Sequence, residues 1–320
     1  MRRRALKIRL VTPAAPGART GNRVTARRWA AILRALGHQV VVEQVYERGR
    51  GDVLVALHAR RSAASIDRFH AQHPGAPIVV ALTGTDVYRD IHVDAGAQRS
   101  LRLASCFVVL QPLAVEQLPV TLRPRCHVIY QSAVPPPGRF RPRPGTFEVA
   151  VLAHLRAVKD PFLAAEATRM LPSGSPVRVL HAGGGLEDGM EDRARAEMEE
   201  NDRYCWLGDL PRWRALRVLA RGRLLAVTSV AEGGANVVSE ALACSVPVVS
   251  TNIPGSVGIL GADYPGYFPV GYAKALAALL QRATDDPDYY HQLHHACQKL
   301  RPLVEPTRER HSWKALLHSL

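Results

Sequence analysis

Lysine is scarce in this chain. Of its 320 residues 42 are basic, and only Lys7, Lys159, Lys274, Lys299 and Lys314 are lysine; the other 37 are arginine. A biased genome composition or anionic ligands accounts for that preference, and the formal charge of +14 fits either. No single basic tail exists: the arginines are spread over many predicted helices, which argues against a dedicated nucleic-acid arm. No apolar run is long enough to span a bilayer, so no membrane association is expected. Cysteine is limited to Cys106, Cys126, Cys205, Cys244 and Cys297. This odd, scattered set forms no C-x-x-C pair and fits buried thiols in a reducing, cytoplasmic compartment. P-loop, G-x-S-x-G and H-E-x-x-H strings are absent. No G-x-G-x-x-G opens either half of the chain, which argues against a nicotinamide oxidoreductase.

What is present is a steady alternation of short apolar runs with helical patterns, the mark of α/β folds with parallel sheets. In the first half the strands read KIRLVT, QVVVEQV, DVLVALH, PIVVALT, CFVVLQ and HVIYQ. The basic N-terminal string MRRRALKIRLV is read as leading into the first strand, not as a signal peptide, because Lys7 and Arg9 break its apolar run. PPPGRFRPRPG, Pro135 to Gly145, admits neither helix nor central strand and is read as a linker. A second series follows: EVAVLAH, VRVLHAG, RYCWLG, LLAVTSV, VPVVSTN and YFPV. The expected organisation is one Rossmann-like domain over 1–140, completed by a C-terminal helix over 303–320, and a second over 141–302. Two such domains leave a cleft, and ligands of open α/β sheets sit beyond the carboxyl ends of the strands.

The residues just after each strand therefore carry the functional reading. EGGANVVSEAL follows the strand LLAVTSV. Gly233 and Gly234 let the backbone approach a ligand and take positive φ. Ala235 closes the turn, and Asn236 is read as the N-cap of a helix whose free N–H groups suit a phosphate. Glu240 shares a face with Asn236 and can accept two ribose hydroxyls; Glu232 can reach a sugar beside the phosphates. After the first strand of the second series comes HLRAVKDP, with His154, Arg156 and Lys159; the last two supply the cations a diphosphate needs. Gly183 and Gly184 form a further glycine turn, and WLGDLP with Trp213 can border a base. Two other clusters have bland readings. Asp285 to Asp288 reads as a turn and cap, and His291, His294 and His295 as a solvated helix face, so no metal site is expected.

The Glu232–Glu240 E-x7-E pair, the basic HLRAVK loop and the glycine turns resemble the GT-B glycosyltransferases of family 4. That resemblance implies two Rossmann-like domains facing each other across a cleft, with a UDP-sugar held by the second. Glu240 would take the ribose, Glu232 the sugar, and Arg156 with Lys159 the diphosphate. The family loop carries arginine five positions before its lysine, where this chain has His154. In the first half, PGARTGNRVTARRW, ALHARRS, LTGTDVYRDIH and VIYQSA resemble the selenosugar synthase family of selenoneine biosynthesis. The implied reaction joins selenophosphate to the sugar of UDP-N-acetylglucosamine or UDP-glucose and releases UDP and phosphate. A pathway partner supplying selenophosphate is implied, and no cofactor. The alternative is a conventional transferase with a carbohydrate or lipid acceptor.

Selenophosphate is multiply anionic and must approach an anionic diphosphate, so fixed cations are required. Arg19, Arg23, Arg60 and Arg61 follow strands of the first half, and Thr20, Gly21 and Asn22 can add a backbone nest at a helix start. His58, Thr83, Gly84, Thr85 and Asp86 complete the expected acceptor site. A selenium nucleophile needs little general-base help; His58, His154 and Asp86 are the candidates for proton transfer, and a core or capping role is the alternative for each.

Overall fold

A computed structural model describes residues 5–320. The chain divides into two compact units, one ending at Gln131 and reclaiming Pro306–Leu320, the other spanning Ser132–Glu305. The sequence places the end of the first domain at 140 and the start of its returning helix at 303, and the compact units divide after Gln131 and before Pro306. Ala133 donates its N–H to the Val304 carbonyl at 3.0 Å, and both side chains are buried in the core of the second unit. The proline-rich 135–145 stretch forms neither helix nor strand and belongs to that unit.

The first unit runs β1 (Lys7–Val11), α1 (Gly21–Ala35), β2 (Gln39–Glu43), β3 (Val53–Leu57), α2 (Ala63–Gln72), β4 (Ile78–Leu82), α3 (Asp90–Val93), α4 (Ala95–Leu103), β5 (Cys106–Val109) and β6 (Cys126–Val128). Its sheet is parallel throughout, in the order β2-β1-β3-β4-β5-β6. Every residue of β3 and β4 is buried, because a parallel sheet is covered on both faces. Alternation assigns the side chains: Val53, Val55 and Leu57 enter one core with Trp29 of α1, while Leu54 and Ala56 enter the other with Ile66 and Phe69 of α2. In α1, Ala26, Trp29, Ala30 and Leu33 are buried at helical spacing.

The second unit runs β7 (Phe147–Leu152), α5 (Leu163–Arg169), β8 (Val177–Ala182), α6 (Met190–Glu200), β9 (Tyr204–Trp206), α7 (Arg212–Arg221), β10 (Leu224–Val227), α8 (Asn236–Ala243), β11 (Val248–Thr251), α9 (Pro254–Leu260), β12 (Tyr267–Phe268), α10 (Ala273–Asp285) and α11 (Pro287–Leu300). Its parallel sheet has the order β12-β11-β10-β7-β8-β9. A last helix, α12 (Pro306–Ser319), lies in the first unit, where Trp313, Leu316 and Leu317 join the core around Trp29. The Trp29 and Trp313 rings meet edge-on at 4.8 Å. Among the described residues no helix is long and apolar enough to cross a membrane.

Both sheets reverse direction of growth once. In the first unit the reversal lies between β1 and β3, in the second between β7 and β10. The crevice outside the carboxyl ends at such a point is where open α/β sheets place ligands.

Candidate active site

The loops after β7 and β10 bring the two expected donor motifs together in the second unit. Val230 donates its N–H to the Val158 carbonyl at 2.9 Å, and Thr228 Oγ1 donates to the Lys159 carbonyl at 2.8 Å. Locked in this way, Lys159 Nζ forms an ion pair with Glu232 Oε1. Ser229 Oγ donates to the same carboxylate oxygen at 2.8 Å, and Thr251 Oγ1 holds the Ser229 carbonyl at 2.7 Å. Glu232 is 13% exposed and Lys159 26%, so the pair lies at the rim of the sheet and still meets solvent. Asp160, which follows Lys159, is left-handed at φ 42°. Burial, reinforced by Glu166, raises the pKa of its carboxyl.

Arg156 is more loosely placed. Its Nε lies 3.9 Å from Glu187 Oε1, and Glu187 also accepts the Ala157 N–H at 2.8 Å. Glu187 comes from the loop after β8, which bridges to the β7 loop through Leu155 and Gly185. The glycines there serve packing. A Cβ on Gly183 would stand 1.9 Å from the Ala153 carbonyl oxygen, and one on Gly184 2.9 Å from Asp209 Cβ. Trp206 Nε1 donates to the Gly183 carbonyl at 2.8 Å. Trp213 is 52% exposed, with the guanidinium groups of Arg214 and Arg217 at 5.1 and 4.9 Å from its ring.

The turn before α8 departs from the sequence reading in two respects. Ala235, with φ −71° and ψ 117°, occupies the N-cap position, and Asn236 is the first helical residue. Gly233 and Gly234 are buried, and neither is among the glycines at positive φ. Close packing decides the turn instead. Gly255 of α9 approaches so nearly that a Cβ there would stand 2.0 Å from the Glu232 carbonyl oxygen. Glu240, in the second turn of α8, is 12% exposed and pairs with Arg212 Nη2 at 2.6 Å. Sequence reasoning missed Arg212. Its signal was slight, an arginine opening a helix just after the loop that follows β9.

His181 secures this rim from below. It is fully buried; Nδ1 lies 2.8 Å from Tyr204 Oη and Nε2 2.9 Å from the Ala153 carbonyl oxygen. Burial lowers its pKa from 6.5 to about 4. The unfolded chain takes up this proton below about 6.5, the folded one only near pH 4. Stability is therefore full above about pH 6.5 and falls as the pH drops toward 4, by up to about 3 kcal/mol. His181→Gln, which takes up no proton, is expected to flatten that acid limb in melts at pH 7.5 and 4.5. An equal acid loss in both proteins would assign it elsewhere.

In the first unit, the residues after β1, β3 and β4 converge in part. Thr20 is the extended N-cap of α1 and makes no side-chain cap. Gly21, Asn22 and Arg23 open the helix, and no acidic residue stands in its first turn. Asn22 Oδ1 accepts from Thr83 Oγ1 at 2.9 Å, tying the β1 loop to the β4 loop. Arg23 Nε is buried without a hydrogen-bond partner among the described residues. Arg19 and Arg61 are exposed. Arg60, also exposed, pairs through Nε with Asp90 at 2.9 Å. Thr85 is exposed at the start of a short 3-10 turn.

Asp86 is wholly buried and spends its carboxylate on two backbone amides, Ala59 N–H and Gly84 N–H, each at 2.9 Å. In this arrangement it shapes the β3 and β4 loops from beneath. His58 is left-handed at φ 74° and only 4% exposed. Its ring lies between two carboxylates, Nδ1 at 3.7 Å from Asp86 and Nε2 at 3.8 Å from Asp90. Burial lowers its pKa, and the Asp86 carboxylate opposes that shift.

Among the described residues no group of three His, Cys, Asp or Glu side chains is placed to hold a metal ion. Asp286 caps α11 by accepting the Tyr289 N–H at 3.0 Å, and Asp285 turns to Thr284 at 2.9 Å.

Residues 139–300, half of the chain and nearly all of the second unit, match the family model for glycosyl transferases group 1. The chain is a group 1 glycosyltransferase. A relative in Xenopus tropicalis, glycosyltransferase 1 domain-containing protein 1, is 24% identical over 275 residues, which is 78% of this chain and 80% of that protein. Among solved structures, the transferase is similar to sucrose-phosphate synthase from Thermosynechococcus elongatus, with TM-score 0.77 and 16% identity over 98% of each chain. It is similar also to HepE of Anabaena in complex with UDP-glucose, with TM-score 0.76 and 16% identity over 98% of this chain and 100% of that one. Both likenesses establish the fold of the transferase, which is GT-B: two Rossmann-like α/β units, each with its own parallel sheet.

Proposed function

We propose that this transferase moves a sugar from a UDP-sugar, UDP-N-acetylglucosamine or UDP-glucose, to selenophosphate. The donor part rests on the second unit. Glu240 accepts the ribose hydroxyls, Glu232 the sugar, and Lys159 with Arg156 the diphosphate; a UDP-sugar donor is supported by the similar HepE structure, which holds UDP-glucose. The N-terminal turn of α8, which opens at Asn236 beside this rim, adds the positive end of a helix dipole near the phosphates. With two cations at that rim, UDP departs without a metal ion.

The acceptor part rests on one observation, the cationic rim of the first unit. Arg19 and Arg23 stand at the start of α1, Arg60 and Arg61 follow β3, and the buried Nε of Arg23 has no hydrogen-bond partner among the described residues. A small, multiply charged anion matches that set better than a neutral hydroxyl. Selenium attacks the anomeric carbon, and the bond from that carbon to the diphosphate oxygen breaks with its electron pair leaving on UDP. Water then cleaves the P–Se bond, releasing phosphate and the 1-selenosugar.

Incubation of the protein with each UDP-sugar and selenophosphate, with mass detection, is expected to give a selenosugar, UDP and phosphate. In Arg19→Ala and Arg23→Ala the KM for selenophosphate should rise about ten-fold or more, since a charge-assisted hydrogen bond is worth about 1.5–3 kcal/mol, and donor binding should hold. UDP release that depends on a sugar or lipid hydroxyl and not on selenophosphate would replace this reading with the conventional one.

A further inference from the structure

Glu240 is assigned above to the ribose, yet its carboxylate is already engaged. Arg212, the first residue of α7, reaches it with Nη2 2.6 Å from Oε1. The glutamate side chain is 12% exposed and the arginine 40%, so the contact is sheltered on one side and open on the other. Cys244, one helical turn beyond Glu240, reports the same charges. Burial raises its thiol pKa to about 11; Glu240 adds to that shift, and Arg212 and Arg301 oppose it.

A vicinal diol needs two acceptors at fixed spacing and orientation. A carboxylate has lone pairs enough for an arginine and two hydroxyls, provided that its plane is fixed. Glutamate turns about three side-chain bonds, so a carboxylate held by nothing else loses that freedom on binding. A charge-assisted hydrogen bond from an arginine restrains the carboxylate, and the arginine keeps its charge at all working pH values. It also answers an electrostatic difficulty. Two carboxylates face an incoming diphosphate, and each is matched by one cation from a neighbouring element: Glu232 by Lys159, Glu240 by Arg212.

We infer that Arg212 is a positioning residue for nucleotide recognition, holding the Glu240 carboxylate in the orientation that accepts the ribose hydroxyls. This rests on the donor reading above.

The test is calorimetric titration of UDP and of 2′,3′-dideoxy-UDP, which lacks the diol, into wild type and Arg212→Ala. Wild type should prefer UDP. In the variant the Kd for UDP should rise about ten-fold, and that for the dideoxy nucleotide by less than two-fold, with the melting temperature unchanged. If Arg212→Ala does not fold, Arg212→Lys carries the same comparison, with a rise of about three-fold. Equal losses on both ligands would make Arg212 a general charge for the diphosphate and overturn the inference. So would an unchanged or tighter Kd for UDP, which would mean that Arg212 competes with the ribose. A wild type that binds both nucleotides alike overturns the ribose assignment of Glu240 and this inference with it. A wild type that binds neither overturns the donor reading itself.

Discussion

Glu309→Ala is expected to destabilise the first unit by about 3–5 kcal/mol. Glu309 is 1% exposed, and it accepts from Arg28 Nε at 3.1 and 3.0 Å and from Trp29 Nε1 at 2.7 Å. Arg28 Nη2 also donates to Gln131 Oε1 at 2.6 Å, and Thr25 Oγ1 to the same oxygen at 2.7 Å. Removing the carboxylate takes from a half-buried guanidinium its counter-charge and from an indole N–H its acceptor. The cost comes from what is left behind more than from the bond lost. An exposed pair supplies the contrast. Glu47 and Arg68, at 3.0 Å, keep 68% and 44% of their side chains in solvent, and Glu47→Ala should change stability by less than about 0.5 kcal/mol. Denaturant titration of both variants decides the matter. A loss below about 1 kcal/mol for Glu309→Ala would mean that the network contributes little beyond its packing.

Gly255→Ala is expected to lower kcat/KM roughly 100-fold while UDP binding changes only a few-fold. The backbone of Gly255 is not left-handed, so an alanine has no torsional objection. Space is the obstacle. The new Cβ would lie 2.0 Å from the carbonyl oxygen of Glu232, 2.8 Å from its carbon and 2.9 Å from its Cβ. These are backbone atoms and a side-chain root, not a flexible tip, so the whole turn has to move. Thr251 and Ser229 anchor that turn from the other side, and the strain falls on Glu232 and its ion pair with Lys159. On the proposed assignment of Glu232 to the sugar, a displacement of about 1 Å there typically costs about two orders of magnitude in rate. Glu240, in the second turn of α8, keeps its contact with Arg212, so on the proposed ribose assignment UDP affinity should survive. Retained kcat/KM within three-fold, measured beside UDP affinity, would show that catalysis tolerates a moved Glu232.

The sheets and the Glu232–Glu240 turn were legible because their signals are local. Continuous runs such as VLVAL and IVVAL mark strands covered on both faces. The same locality explains what was hidden. Arg212 and Glu240 are 28 positions apart and meet only once α7 and α8 have packed. Gly255 looks like any glycine near a helix start, and only the folded chain brings it against Glu232. Asn236 had the right chemistry for an N-cap, yet the helix starts at Asn236 itself, because the backbone of Ala235 is already extended there. Asp86 was grouped with acceptor contacts because it follows a strand; its burial under two backbone amides is a tertiary fact.

The helix α12 belongs to the first unit although the whole second unit stands before it in the sequence. Synthesis runs from the N-terminus, so the sheet of the first unit is made before residues 132–305 and waits for its cover until residues 306–319 emerge. Residues 132–305 are contiguous and need nothing made later. The usual order, in which the N-terminal domain completes first, is thereby reversed. Until Trp313 arrives, the apolar side of Trp29 has no lid, and the nascent protein must keep that surface from neighbouring chains for the whole time that the second unit is being translated.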